Sequence, residues 1–435
     1  MPYLTRAISL PHATALVVGI IIGASVFVQA SEITALVPSL AAVTAVWIVA
    51  GILTMAGALV CAELASAFPQ TGGVYVFLRE IYSPALGFLW GWAMFWSMHT
   101  GIMAAIATVF ARYAGYFVPM SDAGLRATAV AAIVLLSSVN YLGVRFGSRV
   151  QTVITAVKVL AVIVIIVVGW LWNDAGPAPT QVVPDAITAS NFLLAVGAGL
   201  FAFGGWHMVT YTAEETKDPE RTIPRSLVIG ILIVTACYVG LNVIYLSVLS
   251  IDSVITSTRV AADAFEALIG PAGGSFVSAL VMFSAFGALN GVILAGPRVY
   301  YQMAQDGLLF KWAGAVHPVY RTPGRAILLQ ALWGIVLVAT GTYRELVGRV
   351  IYTEWIFFAL LAIGVVLLRR RADYVPGWRM PGVPVIPVVF ALVSFAIVIN
   401  QLRADPRNSL IGLSLVVIGL PIYWAWGGRM ARARR

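Results

Sequence analysis

Apolar residues fall in long blocks along this chain, separated by short segments that hold most of its charge, Pro and polar residues. A block of roughly 20 mostly apolar residues is long enough to cross a bilayer as a helix. In hydrocarbon the backbone must satisfy its own hydrogen bonds, so each block is predicted to be helical. Twelve such spans are expected, at about 13–37, 40–66, 84–113, 125–142, 148–172, 190–212, 224–250, 273–297, 325–341, 345–368, 383–402 and 408–427. The ninth and tenth are parted only by Gly341–Arg344. The first lacks the charged lead and small-residue cleavage pattern of a signal peptide and is read as a retained span. An even count puts both termini on one side of the membrane.

Composition agrees. Of 435 residues, 60% are apolar and only 10% charged, against about 25% charged in soluble domains. Mean hydropathy is +0.93. The chain is therefore expected to be an all-α polytopic membrane protein. Cys61 and Cys237 lie inside apolar runs and read as small packing residues. With the N-terminus inside, inner segments hold 19 of the 27 Lys and Arg residues and outer segments 7, Lys158 lying within a span. That bias puts both termini on the cytoplasmic side of the plasma (inner) membrane. The net charge of +9 then belongs to topology and anionic lipid, and nucleic-acid binding is excluded as its purpose.

Two spans carry glycine interruptions. The first contains Gly19-Ile20-Ile21-Ile22-Gly23-Ala24-Ser25-Val26-Phe27, and the sixth Gly197-Ala198-Gly199-Leu200-Phe201-Ala202-Phe203-Gly204-Gly205-Trp206. Each opens a group of five spans, the pattern of an inverted-repeat carrier with discontinuous helices. Close packing of small residues is the alternative. In the carrier reading, free N–H groups at Gly23, Ala24 and Ser25 suit a carboxylate, and free carbonyls near Ile21, Phe201 and Gly204 suit an ammonium. Two facing breaks serve both ends of a zwitterion.

Four motifs in order resemble the amino acid–polyamine–organocation superfamily, in its L-type amino acid transporter-like branch. They are the first-span run above, Ala62-Glu63-Leu64 with Pro69-Gln70-Thr71-Gly72-Gly73-Val74-Tyr75, the run Phe201-Ala202-Phe203-Gly204-Gly205-Trp206, and Glu214-Glu215-Thr216-Lys217-Asp218-Pro219-Glu220-Arg221-Thr222-Ile223-Pro224-Arg225. The resemblance implies a 5+5 inverted-repeat, LeuT-type fold with repeats at 1–172 and 190–368, two added helices at 383–427 and a basic tail at 428–435. It implies carboxylate contacts at Gly23, Ala24 and Ser25, amine contacts at Ile21, Phe201 and Gly204, and Phe201 as an aromatic gate. Two departures stand out. Ser25 occupies the family's third glycine, where its hydroxyl either adds a donor or narrows the pocket, and Phe203 replaces the usual tyrosine. Relatives with an accessory glycoprotein use an outer cysteine between the third and fourth spans; residues 114–124 hold none, so no disulfide-linked partner is expected.

Charges within spans are functional candidates. Lys158 lies about ten residues into its span, roughly 15 Å deep at 1.5 Å per residue. The resemblance puts it where sodium-coupled relatives of the fold hold sodium, with Ser284 as a further contact. Sodium coupling is then not expected, and a fixed ammonium strut is preferred over a proton released each cycle. His207, taken to lie on the outer side of the sixth-span break, either lines the side-chain pocket or packs. His99 reads as packing. Glu354 either lines the substrate pathway or pairs with Arg349. The Glu214–Arg225 segment reads as an inner gate linked to the second–third loop around Glu63, and Arg369-Arg370-Arg371 as topology charge. No phosphate-binding loop, metal-ligand spacing or heme attachment motif occurs, so no cofactor is expected. The expected function is secondary transport of neutral L-amino acids, by uptake or exchange. The rivals are a proton-coupled carrier of cationic amino acids or polyamines, and, from other classes, an intramembrane enzyme or a nutrient sensor.

Overall fold

A computed structural model describes residues 6–23, 25–172, 187–257, 259–340 and 343–425, with the side chains of 144–151 and 343–352 outside that description. Ala24 and the tail 428–435 therefore lie outside the described residues. The molecule is 81% helical, and no strand occurs among the described residues. The helices are α1 (Leu10–Ile21), α2 (Ser25–Leu36), α3 (Leu40–Ala67), α4 (Val74–Ile81), α5 (Pro84–Ala93), α6 (His99–Phe117), α7 (Asp122–Tyr141), α8 (Val144–Trp172), α9 (Ala189–Ala202), α10 (Pro219–Val248), α11 (Ile251–Thr256), α12 (Val260–Ile269), α13 (Pro271–Ala295), α14 (Pro297–Gln305), α15 (Gly324–Thr340), α16 (Tyr343–Leu368), α17 (Val385–Ala404) and α18 (Pro406–Val417).

Local chemistry sets these starts. Ser39, Ser121 and Thr188 cap α3, α7 and α9 by accepting from Ala42 N, Gly124 N and Asn191 N, which satisfies one of the orphan donors of each first turn. Proline opens α5, α13 and α14, where its missing N–H costs nothing. A wide π turn at Met94–Met98 joins α5 to α6.

Among the described residues, nine helices are long and apolar enough to cross a membrane, or ten if α1 and α2, bent by 44°, form one broken span. Gly324–Thr340 and Thr353–Leu368 are shorter apolar helices, at the ninth and tenth expected spans. The core lies around α1, which packs on α8, α10 and α13, with α9 beside α2 and α3. Both cysteines are buried, Cys61 in α3 and Cys237 in α10.

Candidate functional site

The first break runs through Ile22 and Gly23, between α1 and α2. The second runs through Phe203, Gly204 and Gly205, after which Trp206–Glu215 winds as a tight 3₁₀ helix. Glycine is required at Gly205, whose φ is 94°; an added Cβ would also stand 2.4 Å from Ile20 Cγ2. At Gly23 a Cβ would meet Ala288 at 3.1 Å.

Each break frees carbonyls that a continuous helix would pair, and side chains from other helices take them up. Lys158 Nζ donates to Gly19 O and Ile22 O, both at 2.6 Å, and Ser284 Oγ donates to Ile22 O at 3.1 Å. Thr155 Oγ1 donates to Ala15 O at 3.1 Å. Lys158 is fully buried, and its Nζ meets backbone carbonyls of α1, with α8 and α13 supplying the donors. The Tyr238 hydroxyl of α10 lies 2.6 Å from Ile21 O and 2.9 Å from Ala202 O. One O–H is thus shared by both breaks. Ser25 Oγ approaches Ala202 O at 3.4 Å.

Between the breaks lies a cavity lined by Ile20, Ile21, Gly23, Ser25, Phe201, Gly204, Ile102, Ala105, Ile106, Val109 and Val292. Its volume is small, about 30 Å³, room for only a water molecule or two. One wall is broken backbone. The other is aliphatic: Ile102, Ala105, Ile106 and Val109 repeat at helical spacing on α6, and Val292 comes from α13. The lining includes no charged side chain.

A family sequence model described as amino acid permease matches residues 8–421. The chain belongs to the amino acid permease family. It is 31% identical over 432 residues to the serine/threonine exchanger SteT of Bacillus subtilis (strain 168), covering 98% of each chain. It is 30% identical over 444 residues to the large neutral amino acids transporter small subunit 2 of Homo sapiens, covering 97% of this chain and 80% of that one. To the cystine/glutamate transporter of Homo sapiens it is 27% identical over 435 residues, covering 97% and 85%. The protein is a multi-pass amino acid transporter and not an enzyme.

The permease brings five of the expected site residues to the cavity wall: Ile21, Gly23, Ser25, Phe201 and Gly204. Ala24 lies outside the described residues. Ala202, Phe203, Gly205 and His207 are not among the lining residues. Ala202 faces the Tyr238 hydroxyl through its carbonyl. Phe203 is buried against Trp47 and Tyr238, at ring distances of 6.4 and 5.0 Å. His207 requires a correction. The chain runs through the sixth span toward Glu215, whose carbonyl accepts from Ile8 N, so residues beyond the break lie on the same side as the start of α1, the side that the expected topology makes cytoplasmic rather than outer. There the imidazole is enclosed by Trp90, Trp206, Tyr211 and Phe358, and neither ring nitrogen has a partner among the described residues. His99 does more than pack: its Nε2 lies 2.8 Å from Val292 O, on the cavity floor. Glu354 is buried and lines no part of the cavity; the side chain of Arg349 lies outside the described residues.

Away from the cavity lining, polar contacts tie several elements together. Glu215 pairs with Arg298 at 3.0 Å, both side chains 1% exposed. Asp306 accepts from Tyr75 OH at 2.6 Å and from Arg79. Ile8 N donates to Glu215 O, and Lys217 N to Ile8 O, so the start of α1 is stitched to the end of the sixth span. The link from that span to the second–third loop runs through Glu214 to Thr71 N at 3.3 Å, not through Glu63. Glu63, fully buried, instead accepts from Arg369 at 2.9 and 2.6 Å, from Met380 N at 2.8 Å and from Tyr374 OH at 3.3 Å. Arg369 is thus a structural partner rather than plain topology charge, and its bond to Glu63 raises its pKa.

Sequence reasoning missed Tyr238, Arg298 and the α6 wall. The wall had a signal, the i, i+3, i+4, i+7 stripe from Ile102 to Val109, but most membrane helices carry such stripes. A tyrosine in an apolar helix had none.

Proposed function

We propose that the permease carries neutral L-amino acids across the plasma (inner) membrane by alternating access, in uptake or in exchange of one amino acid for another. The observation that carries this reading is the two-sided cavity wall. Broken backbone at Gly23, Ser25, Phe201 and Gly204 faces aliphatic side chains of α6 and α13. The N–H groups opening α2 meet the carboxylate, the carbonyls of Ile21, Phe201 and Gly204 take the ammonium, Phe201 closes over the ligand, and the side chain rests on Ile102, Ile106, Val109 and Val292. A cationic side chain would find no carboxylate among these lining residues, so the cationic and polyamine reading loses its counterion. Relatives named for serine/threonine and for large neutral amino acids agree with a neutral side chain.

In this reading twelve spans form two inverted five-helix repeats, 1–172 and 190–368, followed by 383–427 and the basic tail, with both termini cytoplasmic. Gly324–Thr340 and Thr353–Leu368 supply the ninth and tenth spans. Lys158 tethers α1 to α8 as a fixed cation, and Ser284 adds the α13 contact. The test is counterflow: proteoliposomes loaded with unlabelled amino acids take up labelled ones. Neutral amino acids should exchange and arginine, lysine and putrescine should not; exchange confined to cations would overturn the assignment.

A further inference from the structure

The segment between α14 and α15 is pinned rather than loose. Leu308 N and Leu309 N donate to Met303 O at 2.8 and 3.2 Å, and His317 N to Thr322 O at 2.8 Å. Gln305 Nε2 donates to Gly314 O at 2.9 Å, and Thr322 Oγ1 to Tyr141 O at 2.8 Å. Arg321 is held at φ 57°, a conformation that a side-chain-bearing residue adopts only when its surroundings impose it. This scaffold turns Lys311, Arg321 and Arg325 outward, all exposed. Beside them stand Trp312, 51% exposed, and Val319, 75% exposed. The Arg325 guanidinium lies 5.5 Å from the centre of the Trp312 ring. Residues 307–325 contain no Asp or Glu, and no ion pair joins these three cations to an acid among the described residues.

Arg325 also heads a face of α15. Leu328, Leu332 and Val336 follow it at steps of three, four and four residues, 49%, 64% and 43% exposed. That spacing keeps all four side chains on one side of the helix. An aliphatic stripe thus ends in a cation, beside an exposed indole and two further cations. Hydrocarbon below and negative charge above is the chemistry of one class of molecule.

We propose that this corner binds an anionic phospholipid of the cytoplasmic leaflet. Its headgroup contacts Lys311, Arg321 and Arg325, and one acyl chain lies along Leu328, Leu332 and Val336. The leaflet rests on the sidedness proposed above; the site itself does not rest on the transported substrate. Trp312 takes the position at the headgroup level that amphipathic rings favour, and Arg325 keeps its stem on the apolar stripe while its head reaches the phosphate. Each such cation near an anionic surface contributes a preference of about fivefold.

Trp312 is a built-in probe. The full-length permease and its Trp312→Phe variant are reconstituted in phosphatidylcholine, with rising fractions of phosphatidylglycerol or phosphatidylcholine brominated high on the acyl chain. The difference between the two proteins isolates the Trp312 signal. Brominated phosphatidylglycerol should half-quench it at a several-fold lower fraction than brominated phosphatidylcholine. The triple variant Lys311→Gln, Arg321→Gln, Arg325→Gln should quench equally with both lipids while retaining wild-type counterflow, which establishes that it is folded. Equal quenching of the wild type by the two lipids would overturn the proposal, as would a preference that survives the triple substitution. Displacement by millimolar glycerol 3-phosphate would mark an ion site instead of a lipid site and overturn it equally. Loss of the amino acid assignment in the counterflow test would leave this readout unchanged.

Discussion

At the scale of single residues, one hydroxyl and one glycine shape the two breaks. Tyr238 OH stands between Ile21 O and Ala202 O, so it joins the two breaks. Tyr238→Phe keeps the ring contacts with Trp47 and Phe203, at 5.2 and 5.0 Å, and deletes only the donor. Leaving buried carbonyls short of a donor costs on the order of 1–3 kcal/mol, so the melting temperature should fall and uptake should drop severalfold. Equal uptake by the folded variant would show that the hydroxyl is idle. Gly205→Ala attacks the same place through the backbone. Its φ of 94° and a Cβ 2.4 Å from Ile20 Cγ2 should cost roughly 1–2 kcal/mol of stability and displace a cavity-lining side chain, so both the melting temperature and substrate affinity should drop. A variant that melts and transports like the parent would remove the backbone argument. The glycines were legible in the sequence because they punctuate otherwise unbroken apolar runs. Tyr238 was not, because its partners are carbonyls 217 and 36 residues away, and nothing local marks a tyrosine for that use.

At the scale of elements, several polar contacts join segments that the sequence does not bring together. Nine long apolar helices, or ten with the broken first span, followed among the described residues from hydrophobic block length, a property of consecutive residues, and the breaks from the glycines that interrupt two blocks. The partners of Glu63 did not: Arg369 is 306 positions away. His207 was misplaced for a different reason. The residues after the sixth-span break lie on the side of Ile8 and the start of α1, so an error in the direction of that helix inverts the environment. The Glu63–Arg369 pair holds the segment after α16 against the end of α3, and Ser66 Oγ adds bonds to Trp378 N and O, at 2.9 and 3.0 Å. Its two members are unequal. Glu63 is fully buried, whereas the Arg369 side chain is 25% exposed. Arg369→Gln strands a buried carboxylate with only Tyr374 and Met380 N as donors, and should destabilise by up to about 3–5 kcal/mol. Glu63→Gln leaves an arginine that water can reach, and should cost less. Thermal unfolding of the two variants in one detergent decides the matter; equal losses, or a larger one for Glu63→Gln, would contradict the burial argument.

At the scale of the whole molecule, the proposed tether at Lys158 bears on what can drive transport. A carrier of this kind moves one bundle around a midplane site, and the moving parts must stay tied at the broken first span. Its ammonium gives two charge-assisted bonds, to Gly19 O and Ile22 O at 2.6 Å, which are stronger than neutral ones. Ser284 binds the same Ile22 carbonyl from α13. A lysine bonded covalently to α8 stays with the chain in every state of the cycle, whereas a sodium ion would come and go. Sodium should therefore be irrelevant to uptake. If the ammonium keeps its proton while these carbonyls are offered to it, a proton gradient should be irrelevant too, and the permease should exchange one amino acid for another without net accumulation. Lys158→Ala removes the tether, leaves the Gly19 and Ile22 carbonyls short of donors, and should reduce exchange at least about tenfold, since a buried bond to a charged group contributes roughly 1.5–3 kcal/mol. The measurement is uptake of a labelled neutral amino acid into proteoliposomes, with the lumen either empty or loaded with unlabelled substrate. An inward proton gradient is imposed and then collapsed with an ionophore, and sodium is replaced by potassium in a parallel series. Uptake that requires a loaded lumen and ignores both ions is the expected outcome. Concentrative uptake into empty vesicles that vanishes with the ionophore would mean that Lys158, or another group, gives up a proton in each cycle. A requirement for sodium would remove the fixed-cation account altogether, because the position beside α1 would then have to accommodate the ion as well as the lysine.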